Sequence, residues 1–151
     1  MAMKQQERLH EGDYEALANL RYRIRRFRQF SAKEAQRLGL TPQQHQALLA
    51  IKGQPAGKKM STRMLAERLL MDRKVADGLV QEFVGKAYIE TDPAAAGPSK
   101  QFVRLTSKAE GALDRLASAH LFEIRKMAPE LMQALRVLQD RQNMQRIAWM
   151  Q

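Results

Sequence analysis

Leu65-Ala66-Glu67-Arg68-Leu69-Leu70-Met71-Asp72-Arg73-Lys74-Val75-Ala76-Asp77-Gly78-Leu79-Val80-Gln81-Glu82-Phe83-Val84-Gly85-Lys86-Ala87-Tyr88-Ile89-Glu90-Thr91 is the stretch on which the fold turns. Its apolar residues recur at helical spacing twice, with a break between. Met64, Leu65, Leu69 and Leu70 line a short helix that Ser61 or Thr62 caps. Asp72 caps a second helix over about residues 73–86, with Val75, Leu79, Val80 and Phe83 inward. The period then changes. Tyr88-Ile89-Glu90-Thr91 suits a strand, and Gln101-Phe102-Val103-Arg104-Leu105 suits the strand that returns beside it. Asp92 to Ser99, holding Pro93, Pro98 and three alanines, forms the tip. Short helix, tight turn, second helix and hairpin is the order of a winged helix-turn-helix. That unit sets its second helix in a DNA major groove, about 12 Å wide, with the wing on the backbone or minor groove.

Upstream, residues 53–60 carry Gly53, Pro55 and Gly57 and read as a loop. Before them, Thr41-Pro42-Gln43-Gln44 is a capping box with proline at the first helical position. It opens a helix bearing His45, Leu48, Leu49 and Ile51. A longer helix over about 12–38 carries an apolar stripe of Tyr14, Leu17, Leu20, Ile24, Phe27 and Phe30 and stops at Gly39. Downstream, Ser107-Lys108-Ala109-Glu110 reads as a second capping box. It starts a helix with Leu113, Leu116, His120, Ile124 and Met127 on one face. Pro129 then begins a last helix with Leu131, Leu135 and Leu138. The fold expected is mainly α with a small β-hairpin wing. Residues 1–151 form a single domain, with 41–106 a winged helix-turn-helix lobe between long terminal helices at 12–38 and 107–151.

Charge narrows the partners. The chain carries a formal net charge of +10, which favours a negatively charged partner, nucleic acid above all. It has no cysteine, which excludes disulfides, thiolate nucleophiles and cysteine-based metal sites. His10, His45 and His120 lie far apart without metal-ligand spacing, so neither a metal nor a cofactor is expected. Phosphate loops, nucleophile elbows and nucleophile–base signatures are lacking, so the chain is not expected to be an enzyme. No apolar run approaches the roughly 20 residues of a membrane helix, and Met1 to His10 has no signal-peptide core. The expectation is a cytoplasmic protein without a membrane partner.

The resemblance then becomes specific. Leu65-Ala66-Glu67-Arg68-Leu69-Leu70, then Lys86-Ala87-Tyr88-Ile89, then Val103-Arg104-Leu105-Thr106 ahead of Lys108 and a leucine-spaced helix resembles the MarR family of bacterial transcription regulators. Leu40-Thr41-Pro42-Gln43-Gln44 is similar to the family's second-helix opening. The resemblance covers about residues 12–140. It implies a homodimer held by the terminal helices, and repression of nearby genes. It also implies relief by a small aromatic or phenolic effector bound between those helices and the DNA lobe, where Phe27, His45 and Leu49 are the candidate lining. One departure stands out. The aspartate and arginine that the family usually carries two residues apart in the wing are Gly97 and Ser99 here.

The residues expected to meet double-stranded DNA follow from their places in the motif. Arg73 and Lys74, in the first turn of the recognition helix, and Gln81, two turns on, face base edges; glutamine pairs bidentately with adenine. Ser61, Thr62 and Arg63 open the preceding helix, where N–H groups and hydroxyls suit phosphate, and Lys100 lies in the wing. Asp77, if outward, repels phosphate or reads a cytosine amino group, and Gly78 costs about 1 kcal/mol against alanine in mid-helix. The reading is a sequence-specific DNA-binding regulator, a repressor modulated by a small ligand, on a pseudo-palindromic operator. The neutral wing and Asp77 motivate a second reading, a dimeric interaction or ligand-sensing module with weakened operator binding.

Overall fold

The computed structural model describes residues 9–92 and 101–149, with side chains through Asp140. Eight elements follow one another: α1 Glu11–Arg37, α2 Pro42–Lys52, β1 Met60–Ser61, α3 Thr62–Leu69, α4 Arg73–Gly85, β2 Ile89–Asp92, β3 Phe102–Leu105 and α5 Ser107–Trp149. They fall into two compact units. One comprises the chain through Phe30 and from Leu121 onward; the other is Ser31–His120.

The Ser31–His120 unit holds the main core. Leu40, Leu48, Met60, Leu65, Val80, Phe83, Ile89, Val103, Leu113 and Leu116 are buried together in it. Every element from the end of α1 to the start of α5 contributes, which fits the helix-turn-helix order read from the sequence. The local signals act as expected at several points. Thr41 Oγ1 accepts the Gln44 N–H at 3.1 Å, and Gln44 Oε1 accepts the Thr41 N–H at 3.0 Å. That is the reciprocal capping box, and α2 begins there with Pro42. Gly39, at φ +73°, ends α1: the Leu40 N–H reaches back to Ala35 O and the Gly39 N–H to Gln36 O.

Four features depart from the sequence reading. The wing is a three-stranded antiparallel sheet of order β1-β3-β2, not a two-stranded hairpin. Met60 and Ser61 pair with Val103 and Phe102 on the free edge of β3, and two residues are too few to show a strand period. Ser61 is then the N-cap of α3, its Oγ accepting the Met64 N–H at 3.1 Å. Second, α5 is capped by Thr106 rather than Ser107. The Thr106 hydroxyl donates to Ala87 O at 2.6 Å and accepts the Ala109 N–H at 3.3 Å. Donation to α4's exit loop fixes the oxygen where the first turn needs an acceptor. Third, α5 runs through Pro129 without restarting, because a proline removes one backbone bond that neighbouring turns outweigh. Fourth, Leu70 and Val75 are not core: Leu70 is 94% exposed, and Ala76 rather than Val75 faces inward.

In the other unit, Ala16 and Ala134 are buried and Arg23 forms an ion pair with Glu130. Among the described residues, most of its large apolar side chains are exposed. They include Tyr14, Leu17 and Ile24 of the α1 stripe and Leu121, Phe122, Ile124, Met132 and Leu135 of α5. No helix among the described residues is long and apolar enough to cross a membrane.

Candidate nucleic-acid interface

Helix α4 has one buried face and one open face. Ala76, Leu79, Val80 and Phe83 are buried. Phe83 meets the Tyr88 ring edge-on at 5.9 Å, anchoring the helix end to the start of the wing. Lys74, Gly78, Gln81 and Gly85 are exposed at spacings of four, three and four and form the outermost stripe. Such a stripe is what a groove would meet first. A Cβ at Gly78 would touch nothing within 4 Å, so nothing among the described residues requires glycine there.

The expected contact residues are not equally free. Lys74 and Gln81 stand in the open. Arg73 is half-buried, its Nε 3.5 Å from Asp77 Oδ1, so the acidic residue holds the arginine along the helix. Arg63 lies in the same relation to Glu67, also at 3.5 Å. The Ser61 hydroxyl is spent on capping α3. Thr62 is a correction. Its side chain is 2% exposed and its N–H donates to Gln101 O at 3.2 Å, so neither group reaches a phosphate. Lys100, Gly97 and Ser99 lie outside the described residues.

In the wing, Arg104 stands opposite Glu90 and is held by its carboxylate at 3.0 Å and by that of Asp92 at 3.4 Å. Lys58 and Lys59, exposed just before β1, went unremarked in the sequence reading. Lys59 lies over the Phe102 ring at 5.5 Å. Their signal was two adjacent lysines in a glycine- and proline-bearing loop, which is too common a pattern to single out.

The expected effector residues fall in both units. Phe27 belongs to the α1/α5 unit, where it lines a cleft with Arg23, Arg26, Glu123, Lys126, Met127 and Glu130. Leu49 is exposed on α2. His45 is buried in the winged-helix unit, its ring 4.8 Å from that of His120. His120 Nδ1 lies 2.6 Å from Leu116 O, a group that only accepts, so Nδ1 carries a proton. In the neutral ring Nε2 is then the acceptor, and the Ser31 hydroxyl donates to it at 2.7 Å. Among the described residues, His45 Nδ1 is buried without a hydrogen-bond partner. Burial first, and the nearby His120 second, hold the His45 pKa below its ordinary value of 6.5.

The pH consequence has a definite sign. As pH falls through 6.5 the unfolded chain takes up a proton at this residue before the folded chain does. Stability contributed by neutral His45 is therefore complete above that pH and declines below it. Urea-denaturation midpoints followed from pH 8 to pH 5 test this. The wild type loses stability on the acid side more steeply than His45→Gln, and parallel profiles would refute the assignment.

Residues 38–96 match the model of the MarR family. No curated protein sequence matches the chain. Solved structures similar in fold include the following three. AbsC, a MarR family transcriptional regulator from Streptomyces coelicolor, is 16% identical with a TM-score of 0.66, covering 91% of this chain and 99% of that one. A mutant of MepR from S. aureus, bound to an oligodeoxyribonucleotide, is 14% identical with a TM-score of 0.61, covering 91% and 98%. RV1404 from Mycobacterium tuberculosis is 16% identical with a TM-score of 0.65, covering 91% and 97%. At these identities the likeness establishes the fold.

Proposed function

We infer that this chain, a MarR-family protein by the match over residues 38–96 and by its fold, is a transcriptional regulator that binds double-stranded DNA as a homodimer. The observation that carries the reading is the open stripe of α4. Lys74 and Gln81 are exposed on it, on a helix backed by Leu79, Val80 and Phe83 and followed directly by a wing. The similar MepR mutant structure, which holds an oligodeoxyribonucleotide, supports the same use of the fold. The exposed apolar side chains of the α1/α5 unit support a second copy as the partner that covers them.

In this reading Arg73, Lys74 and Gln81 contact base edges, and Ser61, Arg63 and Lys100 lie along the backbone. Lys58 and Lys59 join them as phosphate contacts. Two recognition helices about 34 Å apart would occupy successive major-groove faces of a pseudo-palindrome. The protein acts as a repressor, and a small aromatic effector releases it by favouring the dimer geometry that does not fit DNA.

Fluorescence anisotropy across a salt series tests the function. The DNA flanking the protein's own gene should bind about 1000-fold more tightly than a scrambled duplex. Affinity should fall with a log–log slope near −0.9 per phosphate contacted. Equal binding to both duplexes would replace sequence reading by architectural binding. An absence of salt-dependent binding would favour a protein-interaction module instead.

A further inference from the structure

Gln44 is 4% exposed, and both ends of its amide are engaged. Its oxygen closes the α2 capping box by accepting the Thr41 N–H at 3.0 Å. That task needs only an acceptor, and glutamate performs it as well. The other end does something the cap does not require. Nε2 donates to Glu82 Oε1 of α4 at 2.9 Å, across 38 residues of sequence. The same carboxylate oxygen meets Lys86 Nζ at 3.1 Å.

The remaining anchors of α4 are mostly apolar. Leu79, Val80 and Phe83 hold the helix against the core, but such contacts are non-directional. They set how deeply the helix sits more firmly than how it is turned about its axis. A charge-assisted hydrogen bond has a preferred direction, and this one reaches Glu82, next in sequence to Gln81. We propose that Gln44 is a positioning residue for the recognition helix, its amide fixing the rotation of α4 against α2 and so the aim of Lys74 and Gln81. The proposal rests on the regulator reading above. Its consequence is that sequence discrimination depends on a residue that points away from DNA.

Reversing the polarity of the bond tests it. Gln44→Glu keeps an acceptor for Thr41 but sets a carboxylate against Glu82, so the link breaks. Adding Glu82→Gln restores it, with the residue 82 amide now donating to the residue 44 carboxylate. The readout is the ratio of affinities for the native flank and the scrambled duplex, in which a change of net charge largely cancels. Gln44→Glu should lower that ratio about 10-fold or more, because at least one base contact is misaimed. The double variant should return to within about 3-fold of the wild type, a margin well inside a single base contact. Glu82→Ala, on the surface, should lower the ratio as Gln44→Glu does, which keeps the test decisive if Gln44→Glu folds poorly. Circular dichroism melts accompany each variant.

Two results would overturn the proposal. One is an undiminished ratio in Glu82→Ala and in folded Gln44→Glu. The other is a double variant as impaired as Gln44→Glu, which would leave Gln44 a cap and nothing more. A wild-type ratio of one is a different failure, since it removes the regulator reading itself before any variant is compared.

Discussion

Arg73→Ala/Lys74→Ala is expected to abolish most of the preference for the native flank while leaving the melting curve nearly unchanged. Each well-made side-chain contact to a base edge discriminates by about 1–3 kcal/mol. Losing two removes about 2–6 kcal/mol, from about 30-fold up to the whole of a preference of about 1000-fold. The fold should tolerate the change, because Lys74 is exposed and Arg73 leans along its own helix toward Asp77 at 3.5 Å. That pairing adds a second, separable effect. Without Arg73 the Asp77 carboxylate is uncompensated on the DNA-facing side and repels phosphate whatever the sequence. A triple variant with Asp77→Ala should therefore recover overall affinity without recovering preference. Anisotropy on native and scrambled duplexes separates the two effects. A double variant that still prefers the native flank by the wild-type margin would show that α4 reads no bases through these residues.

The second large effect lies behind the same helix. Phe83 is fully buried and packs edge-on against Tyr88, where α4 gives way to β2. Phe83→Ala removes a large apolar side chain and leaves a cavity that a close-packed core fills only in part. The expected cost is about 3–5 kcal/mol, against a total of about 5–15 kcal/mol for a typical domain. Calorimetry should show Tm lowered by roughly 6–20 °C. Phe83→Leu, which keeps most of the volume, should lose much less. If Phe83→Ala melted within a degree or two of the wild type, the aromatic contact would not be what holds α4 to the wing.

What the sequence made legible is what local chemistry writes down. The Thr41–Gln44 box, the Gly39 stop, the spacing of Leu79 and Phe83 and the switch of period at Tyr88 each depend on residues a few positions apart. What it hid depends on distance or on one structure serving two residue types. Three helices end with the same pair of backbone hydrogen bonds, yet only α1 uses glycine. α3 ends at Leu70, φ 53°, and α4 is followed by Ala87, φ 58°. A left-handed conformation costs a residue with a Cβ roughly 1–2 kcal/mol, so neither leucine nor alanine signals it. Leu70 instead reads as a core residue because it sits inside the apolar run Leu69-Leu70-Met71. Among the candidate contact residues, Lys74 and Gln81 are exposed, as their places in the motif require. Thr62 failed because β1, pairing across some forty residues, turned its side chain inward. His45 and His120 each showed as a histidine on an apolar face, but their meeting lies across 75 residues that no local pattern spans.

Ser61 is at once the last residue of β1 and the cap of α3, so no linker separates the wing sheet from the helix-turn-helix. In the proposed regulator the wing and the recognition helix reach the duplex as one rigid gauge. A site whose groove spacing differs from that gauge is not met by the protein flexing. The misfit falls on the DNA, which bends or twists at a cost set by its own stiffness. Operators would then be ranked partly by pliability, at base pairs that no side chain touches.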